Sequence, residues 1–200
     1  MSNTAAWTPG AEPERPALPD QILPSTSAHG VVRVAGRIAE SIVDGPGLRY
    51  VLFTQGCPHR CPGCHNPDTH DFGGGTPVVL RDILADIRRN PLLRGVTFSG
   101  GEPFCQSEAL IPLAAALKSL GYHLMAYTGY VWEDLARDSA AARLLPFLDM
   151  LVDGPFVAAR RSLELRFRGS SNQRILDVPA GLRAGRPMQH ALHGPVNTVL

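Results

Sequence analysis

The stretch Arg49-Tyr50-Val51-Leu52-Phe53-Thr54-Gln55-Gly56-Cys57-Pro58-His59-Arg60-Cys61-Pro62-Gly63-Cys64 runs from an apolar segment into three cysteines spaced C-x3-C-x2-C. Arg49 to Gln55 reads as a β-strand, so Cys57, Cys61 and Cys64 stand on the loop that leaves its C-terminal end. Three thiolates on one short loop point to a metal. Iron–sulfur clusters are held by cysteine thiolates, normally four per cluster, so three ligands would leave one iron open to something other than protein. Structural zinc, with His59 or His65 as fourth ligand, is the competing reading. Zinc sites usually draw their ligands from two separated knuckles, however, and no second cysteine pair is visible.

Outward from this loop, strand and helix patterns alternate. Val31–Val43 reads as one or two strands, closed by the turn Asp44-Gly45-Pro46-Gly47. A helix is expected from about Pro77, with Thr76 as its cap and Leu80, Ile83, Leu84 and Ile87 along one face. Gly95–Ser99 is a short strand, and Leu110, Leu113, Ala114 and Leu117 mark a second amphipathic helix, closed by Gly121. Tyr122–Thr128 returns as a strand, Trp132–Leu145 as a polar helix, Leu148–Val152 as a strand, and Leu163–Phe167 as a candidate last strand. Helical crossovers between short buried strands imply a parallel sheet, either curled into a barrel or open. In both versions the working loops lie at strand C-termini. The cysteine loop, Ser99-Gly100-Gly101-Glu102-Pro103, Thr128-Gly129-Tyr130 and Asp153-Gly154-Pro155 share that rim.

The chain has 200 residues, 44% of them hydrophobic, which suits one domain with its own core. A proline-rich arm over 1–29 is expected to lie outside the fold as a disordered segment, the domain to span 30–178, and 179–200 to form a tail from which Val196 and Leu200 could dock. A net charge of +1 with dispersed arginines argues against nucleic acid as a partner. The absence of a signal-like start or a long apolar run argues against secretion and the membrane, so a cytoplasmic protein is the default. Three of the four cysteines crowd one loop, which fits reduced thiols better than a disulfide framework. Cys105 could serve as an extra ligand or a redox thiol, but free cysteine is more commonly a small buried side chain and is read so here.

In its cysteine triplet followed by Ser99–Pro103, the chain resembles the radical S-adenosylmethionine (SAM) superfamily over about residues 31–176. Within it, the chain is similar to the activating enzymes of anaerobic ribonucleotide reductase. The features that carry this are Asp44–Gly47, Cys61–Asn66, Tyr127–Tyr130, Leu151–Gly154 and Arg168-Gly169-Ser170-Ser171-Asn172-Gln173. The resemblance implies an α/β fold, a partial, TIM-like βα barrel of parallel strands in a single domain with flexible tails. It implies a [4Fe-4S] cluster on Cys57, Cys61 and Cys64, with SAM chelating the remaining iron. Reductive cleavage would release a 5′-deoxyadenosyl radical that abstracts a glycine Cα hydrogen from a partner enzyme, first of all an anaerobic ribonucleoside-triphosphate reductase, with a small molecule or another peptide as the alternative substrate. The electron would come from a donor such as flavodoxin or ferredoxin.

SAM is then expected to meet Ser99, Gly100, Gly101, Glu102 and Thr128. The glycines allow backbone approach, and Glu102 is able to accept from the ammonium. Asp153, together with Thr128, matches residues that help hold a monovalent cation in related activases, although Tyr127 stands where those relatives carry another aspartate. Arg168–Gln173 is suited to bonding a carboxylate or an extended peptide backbone. Tyr130 and Trp132 could line a ligand cleft or pack against the following helix, and neither is given a catalytic role. The residue before the third cysteine, aromatic in much of the superfamily and used against adenine, is Gly63 here, a form shared with the reductase activases.

Overall fold

The computed structural model describes residues 30–194. The proline-rich arm 1–29 and the final residues 195–200, with Val196 and Leu200, lie outside the described residues. The elements are β1 (Val31–Ser41), β2 (Arg49–Thr54), β3 (Thr76–Val79), α1 (Leu80–Arg88), β4 (Gly95–Gly100), α2 (Ser107–Ser119), β5 (His123–Tyr127), α3 (Trp132–Leu135), α4 (Ser139–Leu144), β6 (Met150–Asp153), β7 (Arg174–Asp177) and α5 (Val178–Ala184). They form one seven-stranded sheet in the order β3-β1-β2-β4-β5-β6-β7.

The central strands β2, β4, β5 and β6 run parallel, while β1, β3 and β7 pair antiparallel at the flanks. The parallel expectation therefore holds for the centre, and the whole is a mixed α/β sheet. Side chains alternate between its faces as strand geometry requires. Tyr50, Leu52, Val96, Phe98, Leu124, Ala126, Leu151 and Leu176 join the core formed with α1, α2 and α4. Met125, Met150, Val152 and Ile175 form a second cluster on the other face. Both faces of the central strands are thus buried, which is why they read as continuous apolar runs.

The loop between β1 and β2 is fastened at the N-terminal ends of the strands. Arg49, fully buried, donates from Nε to Thr97 Oγ1 (2.7 Å) and from Nη2 to the carbonyls of Val96 (2.7 Å) and His123 (3.1 Å). Its Nη1 reaches Pro46 O (3.1 Å) and His123 Nδ1 (3.2 Å). Burial lowers the pKa of this guanidinium to about 10. Gly45, at φ +127°, must lack a side chain: a Cβ there would stand 2.7 Å from Met125 Sδ and 2.9 Å from Arg49 Cδ.

Three elements differ from their sequence reading. Thr76 does not cap a helix: Thr76–Val79 is an edge strand on β1, and α1 begins at Leu80. β-branched residues favour that pairing, and Pro77, lacking an N–H, suits an edge. Trp132–Leu145 breaks into α3 and α4, the second capped by Asp138, whose side chain accepts from Ala140 N and Ala141 N. Leu163–Phe167 is loop, and the last strand is Arg174–Asp177.

The segment after residue 178 carries structure instead of trailing. Asp177 caps α5 by accepting from Ala180 N, and Gly185 at φ +63° closes the helix. Residues 188–193 then return along β7. Asp177 N donates to Met188 O (2.9 Å), His190 N to Ile175 O (2.9 Å), and Ile175 N to His193 Nδ1 (3.0 Å).

Candidate functional site

A cavity of about 460 Å³ opens at the C-terminal ends of the parallel strands, within the range of small-molecule and cofactor sites. Four loops line it: Cys57, Cys61 and Cys64 after β2; Ser99–Gly101 after β4; Thr128 and Gly129 after β5; Gly154 and Phe156 after β6. Sequence reasoning had brought the same four loops to one rim.

The cysteine loop closes on itself. Gly56 N donates to Thr69 O (2.8 Å) and Cys57 N to His70 O (3.2 Å), so both ends are pinned while the cysteines project from between them. All three thiols are free, Cys57 buried and Cys61 and Cys64 partly exposed. Among the described residues, no three His, Cys, Asp or Glu side chains are gathered as a site for a single ion. Burial raises the pKa of the Cys57 thiol, ahead of the lowering bonds from the His59 and Arg60 backbone. Cys105 is exposed on the 3-10 turn Pro103–Gln106 and does not line the cavity, contrary to the expected burial.

The loop after β4 is packed directly on the cysteine loop. Glu102 N donates to Gly56 O and Gly101 N to Thr54 O, each at 2.8 Å. A Cβ on Gly101 would lie 2.4 Å from Gly56 O, and one on Gly100, at φ +96°, 2.7 Å from Phe53 Cα. These glycines therefore let two backbones meet.

Glu102 takes a different part from the one expected of it. It is fully buried and is not among the residues that line the cavity. Its carboxylate accepts from Phe104 N (3.1 Å), Thr128 Oγ1 (2.9 and 3.0 Å), Gly129 N (2.9 Å) and His59 Nε2 (2.9 Å). A carboxylate offers about four lone-pair sites, and these donors fill them. Glu102 thus joins the rim loops to one another, with Thr128 as one of its donors. Ser99–Gly101 and the Thr128–Gly129 turn line the cavity, and Glu102 lies behind them.

Asp153 is bound within the protein. Also fully buried, it accepts from Trp132 N (2.8 Å) and Arg174 Nε (2.9 Å) and pairs with Arg174 Nη2. Arg174 bonds Glu133 as well, and the two carboxylates hold its pKa above the ordinary arginine value. Arg168–Gln173 bonds the protein's own backbone: Gln173 Oε1 accepts from Gly169 N and Ser170 N, and its Nε2 donates to Gly154 O. Arg168 reaches Gln173 O (3.0 Å) and His193 O (2.9 Å). Phe167 beside it holds φ +52°. Trp132 packs in the core against Gly181.

Phe156 was not singled out from the sequence. Its ring stands 4.9 Å from that of His65, beside Gly63 and Gly169, where Cβ atoms would lie 3.8 and 3.0 Å from it. An aromatic face thus reaches the cysteine loop from the loop after β6. The proximity of Phe156 to Pro155 and Gly154 gave no signal of this, because the contact forms only in the folded chain.

A loop carrying three cysteines shares a cavity with a Gly-Gly turn, an arrangement suited to an iron–sulfur cluster. The family model for the 4Fe-4S single cluster domain matches residues 43–176, and the chain belongs to this family. Within it, the chain is 35% identical over 142 residues to the anaerobic ribonucleoside-triphosphate reductase-activating protein of Vibrio cholerae, covering 67% of this chain and 90% of that protein. It is 34% identical over 140 residues to the protein of the same name from Escherichia coli, covering 66% and 90%. A shorter match, 43% over 99 residues, links it to the pyruvate formate-lyase-activating enzyme of Clostridium pasteurianum, covering 45% and 42%. These names agree with the resemblance drawn from the motifs.

Proposed function

We propose that this protein is a radical SAM activating enzyme that installs a glycyl radical in a partner, an anaerobic ribonucleoside-triphosphate reductase. The observation that carries the reading is the single cavity shared by three free thiols and the Gly100–Gly101 turn. The donor set fits a [4Fe-4S] cluster with one iron left to SAM, and both are taken as its cofactors. When bound, the cluster supplies the electron that cleaves SAM to methionine and a 5′-deoxyadenosyl radical, which takes the glycine hydrogen.

The chain's own residues bind, orient and exclude. Cys57, Cys61 and Cys64 would hold the cluster. The backbone of Ser99–Gly101 and the Thr128–Gly129 turn offer polar groups to the amino acid end of SAM. Phe156 and His65 offer ring faces to adenine at the place where Gly63 has none. Val43, which lines the cavity, is 71% exposed, and Leu163, two residues before the lining Leu165, is 91% exposed. Apolar side chains beside an open mouth suit a protein loop as substrate. We read the seven-stranded sheet as an incomplete barrel whose open side admits that loop. Among the described residues no helix is long and apolar enough to cross a membrane, and a cytoplasmic setting with a flavodoxin or ferredoxin donor completes the proposal.

The test is anaerobic reconstitution of the full chain with iron and sulfide, followed by SAM, a reductant and the candidate reductase. A glycyl electron-paramagnetic-resonance doublet should grow only with wild-type protein and SAM, and Cys57→Ala should abolish it. Purified protein holding zinc without iron or sulfide, or equal SAM cleavage by wild type and Cys57→Ala, would overturn the reading.

A further inference from the structure

We infer that His59 is a positioning residue that couples the cysteine loop to the ligand-facing turn after β5, acting through Glu102. The inference rests on the radical SAM reading above. His59 lies between Cys57 and Cys61, yet its ring turns toward the neighbouring loops. Nε2 meets Glu102 Oε2 at 2.9 Å, with side-chain exposures of 18% for the histidine and 0% for the glutamate. An acceptor-only carboxylate selects the tautomer with the proton on Nε2.

Each of the three residues after β5 meets this pair. The Thr128 hydroxyl and the Gly129 N–H both donate to Glu102. The Tyr130 ring stands edge-on to His59, with centroids 4.4 Å apart at 71°. Gly129 is where the fit is tightest, since a Cβ would stand 2.4 Å from His59 Cδ2. That turn can approach the cysteine loop only because it has no side chain there. Glu102 also fixes the start of its own 3-10 turn through Phe104 N. One carboxylate therefore ties together the loops after β2, β4 and β5.

The backbone next to His59 supports the same role. Arg60 holds φ +46°, a left-handed conformation that a non-glycine residue keeps only where its surroundings over-determine it. The bond from His59 to Glu102 is one such constraint. It also commits Nε2 to a carboxylate and so fixes the orientation of the ring. A side chain that only filled space would need neither the bond nor the matching glycine.

The shape of the cysteine loop, set by what its thiols hold, is thus passed to Thr128 and Gly129, which line the cavity. Assembly of the cluster should order the turn after β5, and His59 should be required for that effect without being required for the cluster.

The experiment compares anaerobically reconstituted wild type, His59→Ala and His59→Gln. It measures iron and sulfide per chain, SAM affinity by calorimetry without reductant, and hydrogen exchange over 128–130 before and after reconstitution. Iron and sulfide should be equal in all three. His59→Ala should bind SAM about tenfold more weakly, the scale of one lost hydrogen bond to an ionisable group. It should also lose the exchange protection that reconstitution confers on wild type. His59→Gln, whose amide can donate to Glu102, should recover most of both. A fall in iron content in both variants would make His59 a ligand and overturn the inference. So would SAM affinity and protection left unchanged in His59→Ala. Wild-type protein that takes up neither cluster nor SAM would overturn the radical SAM reading itself, a result visible before any variant is compared.

Discussion

The sheet buries Arg49 at one end of its parallel strands and Glu102 at the other, and the two are held in opposite ways. At the N-terminal ends, Arg49 donates to carbonyls and a hydroxyl contributed mostly by strands and by the turn it closes. At the C-terminal ends, Glu102 accepts from groups that lie almost entirely on loops. The first arrangement fastens the sheet, and the second fastens the rim of the cavity to itself. A buried ionisable group is tolerated where its hydrogen bonds are met, so what each group organises is decided by where its partners sit in the chain.

Removing both groups separates the two roles. Arg49→Leu should have the larger effect on the fold, because it strands several buried acceptors at once. A loss of about 3 kcal/mol or more in denaturant unfolding of the metal-free protein is expected. A variant as stable as wild type would erase the distinction. Glu102→Gln keeps the shape but turns an amide N–H toward one of the donors. It should cost a smaller amount, about 1–3 kcal/mol, while loosening exchange protection at Gly129 and leaving that of β2 and β4 intact. An equal loss of protection across the strands would show that the rim and the floor are one unit.

A pH titration gives the mildest test. His123, beside Arg49, and His193, on the return along β7, are both held below the ordinary value of 6.5, chiefly by burial and then by neighbouring arginines. Their neutral forms are favoured in the folded state, so the unfolded chain binds more protons as pH falls through about 6.5. Stability should therefore be greatest above that pH and decline below it. The midpoint of thermal unfolding at pH 5.5 should fall below that at 7.5, and His123→Asn should shallow the slope. A flat profile in wild type would contradict it.

The site was legible where its chemistry is local. The cysteine spacing and the Gly100-Gly101 turn are contiguous in sequence, and their places after β2 and β4 follow from the apolar runs before them. The part played by Glu102 was not legible, because its donors come from positions as remote as His59 and Thr128 and nothing near Glu102 announces them. Phe156 escaped for the same reason. In the fold, the apolar phase of α1 was readable, but its start was displaced because Thr76–Val79 pairs with β1, a tertiary choice that overrode the cap signal. The segment after residue 178 was misjudged for want of periodicity, although Asp177, Pro179 and Gly185 carried the start and stop signals of a short helix.

The return of residues 188–193 along β7 has a consequence for recognition. Ile175 already uses both its N–H and its carbonyl on this segment, and Asp177 its N–H. A partner chain that sought to add a strand to the sheet at β7 would first have to peel this strap away. Recognition at that side of the molecule falls instead to side chains and loop tips, which can be varied without disturbing the sheet.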